Sequence, residues 1–147
     1  MDKLAEYKRK RTAESPEPFG GEASERPVFV VQEHHASHLH WDLRLEMNGV
    51  LKSWAVPKEP PTETGVKRLA VQTEDHPLDY ASFEGEIPKG RYGAGTVKIW
   101  DKGLVEYKSS GDDKIEFSLR GKRMKGPYAL IRFKRAGPKN WLFFKRN

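Results

Sequence analysis

The segment His40-Trp41-Asp42-Leu43-Arg44-Leu45-Glu46-Met47-Asn48-Gly49-Val50-Leu51-Lys52-Ser53-Trp54-Ala55-Val56 alternates polar and apolar residues up to Met47, breaks at Asn48-Gly49 and resumes as a second run. Such alternation marks a strand with one buried face. Asn-Gly between two such runs marks a two-residue hairpin turn, because both central residues of a type I′ turn need positive φ. The turn then fixes the register: Met47 opposite Val50, Arg44 opposite Ser53, Asp42 opposite Ala55, with Trp54 pairing Leu43 on the core side. His40, Asp42, Arg44 and Glu46 share the other face, neighbouring Cα atoms about 6 to 7 Å apart. The small Ser53 and Ala55 beside that polar row leave room for a ligand.

Upstream, the eleven residues from His34 to Arg44 hold four of the chain's five histidines. Imidazole and carboxylate bind metals and guanidinium binds phosphate, so the cluster reads as a metal site that handles a phosphate ester. A straight chain would hold His34 about 26 Å from Asp42, too far for shared ligation. The chain must therefore turn around Ala36 to Leu39. With Val28-Phe29-Val30-Val31-Gln32 as an incoming strand, residues 33 to 39 are expected to form a loop that brings His34 back beside His40. His34, His40 and Asp42 are the candidate metal ligands, Arg44 the phosphate clamp, and His35 and His38 loop residues.

The 147 residues suit one domain with a real core. Lys and Arg number 27 against 21 Asp and Glu, a net +6 that favours a polyanionic partner. The absence of cysteine excludes disulfides, thiolate metal sites and cysteine nucleophiles. Neither a membrane-length apolar run nor a signal-peptide core is visible, so a soluble, cytoplasmic protein is expected.

Residues 2 to 11 have a short amphipathic helical character, and 12 to 27, with Pro16, Pro18, Gly20, Gly21 and Pro27, read as an irregular arm. Beyond it, strands are expected at about 28–32, 40–47, 50–56, 67–73, 95–100, 104–108, 114–119, 127–134 and 141–146. They suggest a closed or nearly closed antiparallel barrel or sandwich without internal repeats.

A second cluster follows the alternating run Lys67 to Glu74. His76 stands where that strand gives way to a loop, a common place for functional groups. The acidic residues from Glu74 to Glu86 read as a solvated loop, with a second metal site as the weaker alternative. Gly90-Arg91-Tyr92-Gly93-Ala94-Gly95 leads into a strand rather than a helix and lacks Lys-Ser or Lys-Thr, so it is read as a tight barrel corner rather than a phosphate cradle.

Several motifs closely resemble the 3′-phosphoesterase domain of bacterial and archaeal DNA ligase D. They are Val30-Val31-Gln32-Glu33-His34, Leu39 to Glu46, Leu51 to Lys58, Lys67 to Val71, Glu74-Asp75-His76-Pro77-Leu78-Asp79-Tyr80, Phe83 to Gly90 and Tyr92-Gly93-Ala94-Gly95. The resemblance spans nearly the whole chain, which looks like the stand-alone form without fused ligase and polymerase domains. It implies a manganese-dependent enzyme of non-homologous end joining, with Co²⁺ or Zn²⁺ as other suitable ions. Such enzymes remove a 3′-terminal ribonucleoside from DNA or RNA–DNA primer ends and then the 3′-phosphate, leaving a 3′-hydroxyl. Its partners would be a separate DNA ligase, a primase-polymerase and Ku-type end-binding proteins.

Motif by motif, the resemblance implies metal ligation by His34, His40 and Asp42. It implies phosphate contacts by Arg44, His76 and Tyr80, and completion of the site by Lys58, Arg68 and Glu74. The family also places an Arg-Asp pair and a glutamate in its arm. Arg11 and Glu17 match, whereas Thr12 stands at the usual aspartate position. The fold expected is all-β, a single-domain antiparallel barrel of eight or nine strands over 27–147 behind a helix and arm over 1–26.

Chemically, two imidazoles and one carboxylate leave open positions on an ion for a phosphate oxygen or a water. His76 is the candidate general acid or transition-state donor, its tautomer set by Glu74 or Asp75. The competing readings are a non-catalytic module that binds nucleic-acid ends and recruits ligase or polymerase, and a 2′,3′-cyclic phosphodiesterase.

Overall fold

The computed structural model describes Leu4, Tyr7 and residues 26–147. The helix expected over 2–11 and the arm, with Arg11, Thr12 and Glu17, fall outside the described residues apart from Leu4, Tyr7, Arg26 and Pro27.

Among the described residues, nine strands form one sheet: β1 (Val28–His35), β2 (Leu39–Met47), β3 (Val50–Val56), β4 (Lys67–His76), β5 (Gly85–Ile87), β6 (Gly95–Ser110), β7 (Lys114–Arg120), β8 (Lys125–Arg132) and β9 (Asn140–Lys145). Their order is β1-β2-β3-β4-β9-β8-β7-β6-β5, and an antiparallel β1–β6 pairing closes eight of them into a barrel with β5 added on β6. Two 3₁₀ turns, Leu78–Ser82 and Lys134–Ala136, complete the described structure. None of its helices is long and apolar enough to cross a membrane.

The β2–β3 hairpin has the expected register, with Met47 opposite Val50, Arg44 opposite Ser53 and Asp42 opposite Ala55. Asn48 (φ 54°) and Gly49 (φ 82°) carry the positive dihedrals that its turn demands. Three strand expectations are corrected. The connection between β1 and β2 is only Ala36 to His38, because the ladder continues to the His34–His40 and His35–Leu39 pairs. The two strands expected over 95–108 are one, β6, which passes straight through Asp101-Lys102-Gly103. The three-residue β5 was not expected at all.

The barrel interior is apolar. Phe29 and Val31 of β1, Leu43 and Leu45 of β2 and Trp54 of β3 meet Phe117, Tyr128, Leu130, Trp141 and Phe143 from the far wall. On the outer face of the β1–β4 wall, the alternate residues Gln32, His34, Asp42, Arg44 and Ser53 are also buried. A second apolar cluster of Tyr7, Leu51, Leu78 and Tyr80 covers part of that face. The wall is thus buried on both sides, and its outer side is polar.

One irregularity in β4 decides where His76 points. Leu51 pairs with His76 and Ser53 with Thr73, so two β4 residues, Glu74 and Asp75, stand opposite the single Lys52. This bulge reverses the inside-outside alternation. Ala70 lies in the barrel core, and parity alone would send His76 the same way. The extra residue instead puts His76 on the outer face with Ser53 and Arg44.

Candidate active site

The polar wall opens into a pocket of about 290 Å³, whose lining includes His34, His40, Asp42, Arg44, His76 and Tyr80. The β1–β2 register places His34 directly opposite His40. Nδ1 of His34 lies 3.6 Å and Nε2 of His40 3.3 Å from Asp42 Oδ2. The three offer ligand atoms within 4.8 Å of one another, the one cluster of metal-ligand spacing among the described residues.

The outward nitrogens of both imidazoles are held by backbone carbonyls. His34 Nε2 donates to Gly93 O at 2.8 Å, and His40 Nδ1 to His38 O at 3.1 Å. Each ring then turns its other nitrogen toward Asp42, where it is a lone pair in the neutral ring, the form a metal ligand needs, and an N–H donor to the carboxylate in the protonated ring. The donor set therefore fits a divalent ion that accepts nitrogen and oxygen. Burial opposes ionisation of Asp42, but the Arg44 guanidinium and the hydrogen bonds from His34 and His40 outweigh it and hold the carboxyl well below the usual carboxylate range. The Asp42 hydrogen bond raises His40, with burial working against it.

Arg44 is 4% exposed and held on three sides. Its Nε donates to Gln32 Oε1 at 2.6 Å, and its Nη1 to Ser53 Oγ at 2.9 Å and His76 Nδ1 at 3.1 Å. The third nitrogen, Nη2, faces Asp42 Oδ2 at 3.6 Å. The Tyr80 ring supports the guanidinium at 4.7 Å. The fork is therefore fixed before any phosphate arrives.

His76 Nδ1 also lies 2.9 Å from the Glu74 backbone carbonyl. A guanidinium only donates and a carbonyl only accepts, so the proton on His76 satisfies one neighbour or the other. With Arg44 donating to Nδ1, the proton sits on Nε2. Glu74 thus reaches Nδ1 through its backbone carbonyl, and Asp75 Oδ2 lies 3.6 Å from Lys52 Nζ.

Glu74, 6% exposed, lines the pocket. Lys58 and Arg68 do not. Lys58 is exposed beyond the end of β3, and Arg68 Nε donates to Glu59 O beside it at 2.8 Å. His35 and His38 keep their side chains outside the pocket lining, although the His38 carbonyl fixes His40. Of the acidic residues that follow, Glu84 accepts from Ile99 N at 2.7 Å.

Three participants escaped the sequence reading. Gln32 is fully buried and bridges Arg44 to the Tyr80 and Phe83 carbonyls at 2.9 and 3.1 Å. A polar residue closing the apolar run Val28 to Val31 was its available signal. Ser53 was read only as small, yet it accepts from Arg44. The glycine-rich segment is more than a corner, since Gly93 holds a candidate ligand and Tyr92 lines the pocket. Gly95 (φ 138°) is fixed by close approach, because a Cβ there would overlap the His35 carbonyl.

The family described as DNA Ligase D 3′-phosphoesterase domain matches residues 32–132. The chain belongs to this family. A multifunctional non-homologous end joining DNA repair protein LigD from Mycobacterium tuberculosis is 50% identical over 142 residues, covering 89% of this chain and 18% of its own length. The Pseudomonas aeruginosa multifunctional non-homologous end joining protein LigD is 48% identical over 153 residues, covering 97% and 18%. The Mycolicibacterium smegmatis LigD is 47% identical over 156 residues, covering 96% and 20%. The chain thus spans about a fifth of the length of these relatives.

Proposed function

We propose that this protein is a manganese-dependent 3′-end-healing phosphoesterase serving DNA end joining. It removes a 3′-terminal ribonucleoside and then the 3′-phosphate from DNA or RNA–DNA primer ends, leaving a 3′-hydroxyl. The carrying observation is the convergence of His34, His40 and Asp42 with Arg44 and His76 in one pocket. Family membership supports the same reading.

A divalent ion held by the triad would supply a Lewis acid and an acidified water. Arg44 offers Nη2 to a non-bridging phosphate oxygen, and its other nitrogens stay engaged so that the group does not reorient during reaction. His76 donates from Nε2 to the phosphate or to the leaving oxygen, Tyr80 braces Arg44, and Glu74 orients the attacking water. In the monoesterase step water adds to phosphorus, the P–O3′ bond breaks and the departing oxygen takes a proton, giving inorganic phosphate and a 3′-hydroxyl. In the diesterase step the P–O5′ bond to the terminal ribonucleoside breaks instead, leaving a 3′-phosphate. Lys58 and Arg68 contact the strand leading into the pocket, and Arg11 and Glu17 the terminal ribonucleoside. A DNA ligase, a primase-polymerase and Ku-type proteins would share the substrate.

End-labelled primers carrying a 3′-ribonucleoside, a 3′-phosphate or a 2′,3′-cyclic phosphate, incubated with and without manganese, test this. Manganese-dependent conversion of the first two to a 3′-hydroxyl is expected. Binding without conversion would leave an end-binding module, and conversion of the cyclic phosphate alone would make the protein a cyclic phosphodiesterase.

A further inference from the structure

Two six-residue segments, Lys98-Ile99-Trp100-Asp101-Lys102-Gly103 and Arg120-Gly121-Lys122-Arg123-Met124-Lys125, carry six cations against one carboxylate, a net +5 in a chain whose whole balance is +6. The fold brings them together. The buried Asp101 carboxylate accepts from the backbone amides of Lys102, Lys122 and Arg123 as well as Met124, and so gathers three cationic residues around one point. Met124 is fully buried in the barrel core, and a Cβ at Gly121 would overlap the Asp101 carboxylate and the Phe29 ring, so the backbone of this turn is held in place. Lys102, Lys122, Arg123 and Lys125 nevertheless stand exposed. Among the described residues no carboxylate lies within ion-pair distance of their side chains, whereas Arg120 is paired with Glu106 at 2.8 Å.

Like charges crowded on a fixed turn repel one another, and the packing of Met124 and Gly121 does not require them. Arg123 is further restrained, its guanidinium lying over the Trp100 ring at 4.6 Å. Stacking occupies the flat face of the group and leaves the N–H donors along its edge for a phosphate oxygen. The register connects this cluster with the candidate site. Lys102 pairs with Val30 and Val30 with Arg44, so Lys102 and Arg44 leave the sheet on the same outer face. Two strand spacings put their Cα atoms within about 10 Å of each other, the axial rise of about three nucleotides in one strand. We propose that Lys102, Lys122 and Arg123 form a subsite for the phosphodiester backbone of the nucleic acid whose 3′ end occupies the pocket. Phosphates of the primer strand and of its template offer this subsite the same chemistry. The inference rests on reading the pocket as a site for nucleic-acid 3′ ends, and the turn supplies affinity rather than chemistry.

Lys122→Gln/Arg123→Gln removes two charges from the turn, and Arg135→Gln/Lys139→Gln removes two exposed charges from the β8–β9 connection as a control for net charge. Fluorescence anisotropy of a labelled primer–template with a recessed 3′-hydroxyl, the proposed product end, measures binding without turnover. At about 0.1 M salt the turn variant should bind roughly 10-fold more weakly, and the slope of log K against log [salt] should shrink by about 1.5 to 2, since each lost phosphate contact removes about 0.7 to 0.9. Lys102→Gln alone should shrink it by about 1, and the control should match the parent. Phosphate release with manganese should show a raised KM and an unchanged kcat for the turn variant on a long 3′-phosphate substrate, and parental values on a 3′-phosphate dinucleotide too short to reach the turn. Weakened binding of single-stranded and duplex primers alike assigns the subsite to the primer strand, and weakening confined to the duplex assigns it to the template. Parental affinity in the turn variant, an equal loss in the control, an equal loss on the dinucleotide or no binding by the parental protein would each overturn the proposal. Parental protein that binds the primer–template yet releases no phosphate would overturn the phosphoesterase reading alone, and the anisotropy comparison would then decide the subsite by itself.

Discussion

His34 and His40 stand opposite one another across the β1–β2 ladder, ring centroids 4.7 Å apart, and turn different nitrogens toward Asp42, Nδ1 from the first and Nε2 from the second. With both rings neutral, the pair presents two lone pairs, beside a carboxylate oxygen, to one point in space. His34→Ala, His40→Ala or Asp42→Asn should each weaken manganese binding by at least about 100-fold and abolish phosphate release while the barrel still folds. Calorimetric titration with manganese beside far-ultraviolet circular dichroism measures both. Tight binding in all three variants would move the metal elsewhere.

Arg44→Lys should lower kcat on a 3′-phosphate primer by roughly 100-fold or more, because an ammonium cannot hold Gln32, Ser53 and His76 while facing the pocket. Gln32→Ala should fall between this variant and the parent, since it frees one edge of the fork and leaves the others. Single-turnover rates at saturating primer separate the two effects.

The proton on His76 is directly observable. With Arg44 donating to Nδ1, the long-range ¹⁵N–¹H pattern of the neutral ring should be that of the Nε2–H tautomer. In Arg44→Ala the Glu74 carbonyl remains beside Nδ1, and the proton should move to Nδ1. An Nδ1–H tautomer in the parent would remove His76 as a neutral donor from Nε2.

Asp101 accepts from the backbone amides of Lys102, Lys122, Arg123 and Met124 at 2.8 to 3.1 Å. Asp101→Ala leaves these donors without their acceptor and should cost about 3 kcal/mol, lowering Tm by roughly 6 to 12 °C. A melting curve within about 2 °C of the parent's would contradict this.

Alkaline stability should be limited by two tyrosines. Burial raises Tyr107 and Tyr128 well above the ordinary phenol value, and their hydroxyls donate to the Glu46 and Pro61 carbonyls. The folded values exceed the unfolded ones, so this stabilisation is complete below about pH 10 and is lost as pH rises further, when the unfolded chain ionises first. Tyr128→Phe should be about 1 kcal/mol less stable at neutral pH and decline less steeply above pH ~10, as urea midpoints across that range would register.

Asn48-Gly49 made the β2–β3 register legible, because a two-residue turn leaves the pairing no freedom, and with it the polar row from His40 to Glu46. The β4 bulge carries no comparable mark. Glu74 and Asp75 prolong an alternating run in the sequence, and only pairing with β3 reveals the extra residue. Asp101-Lys102-Gly103 looks like a turn because those residue types favour turns. The carboxylate instead serves a distant turn at residues 122–124, and β6 runs on. Gln32 and Gly93 act through contacts with residues far along the chain, which local periodicity does not encode.

β1 is hydrogen-bonded along both edges, to β2 on one side and β6 on the other. Its amides should therefore be among the slowest in the protein to exchange with deuterated solvent, since exposing them requires the barrel seam to part. His34 would keep its place through any partial opening that spares the seam. The pocket would then be lost only in the final cooperative step of unfolding, so that bound manganese would report on the global transition.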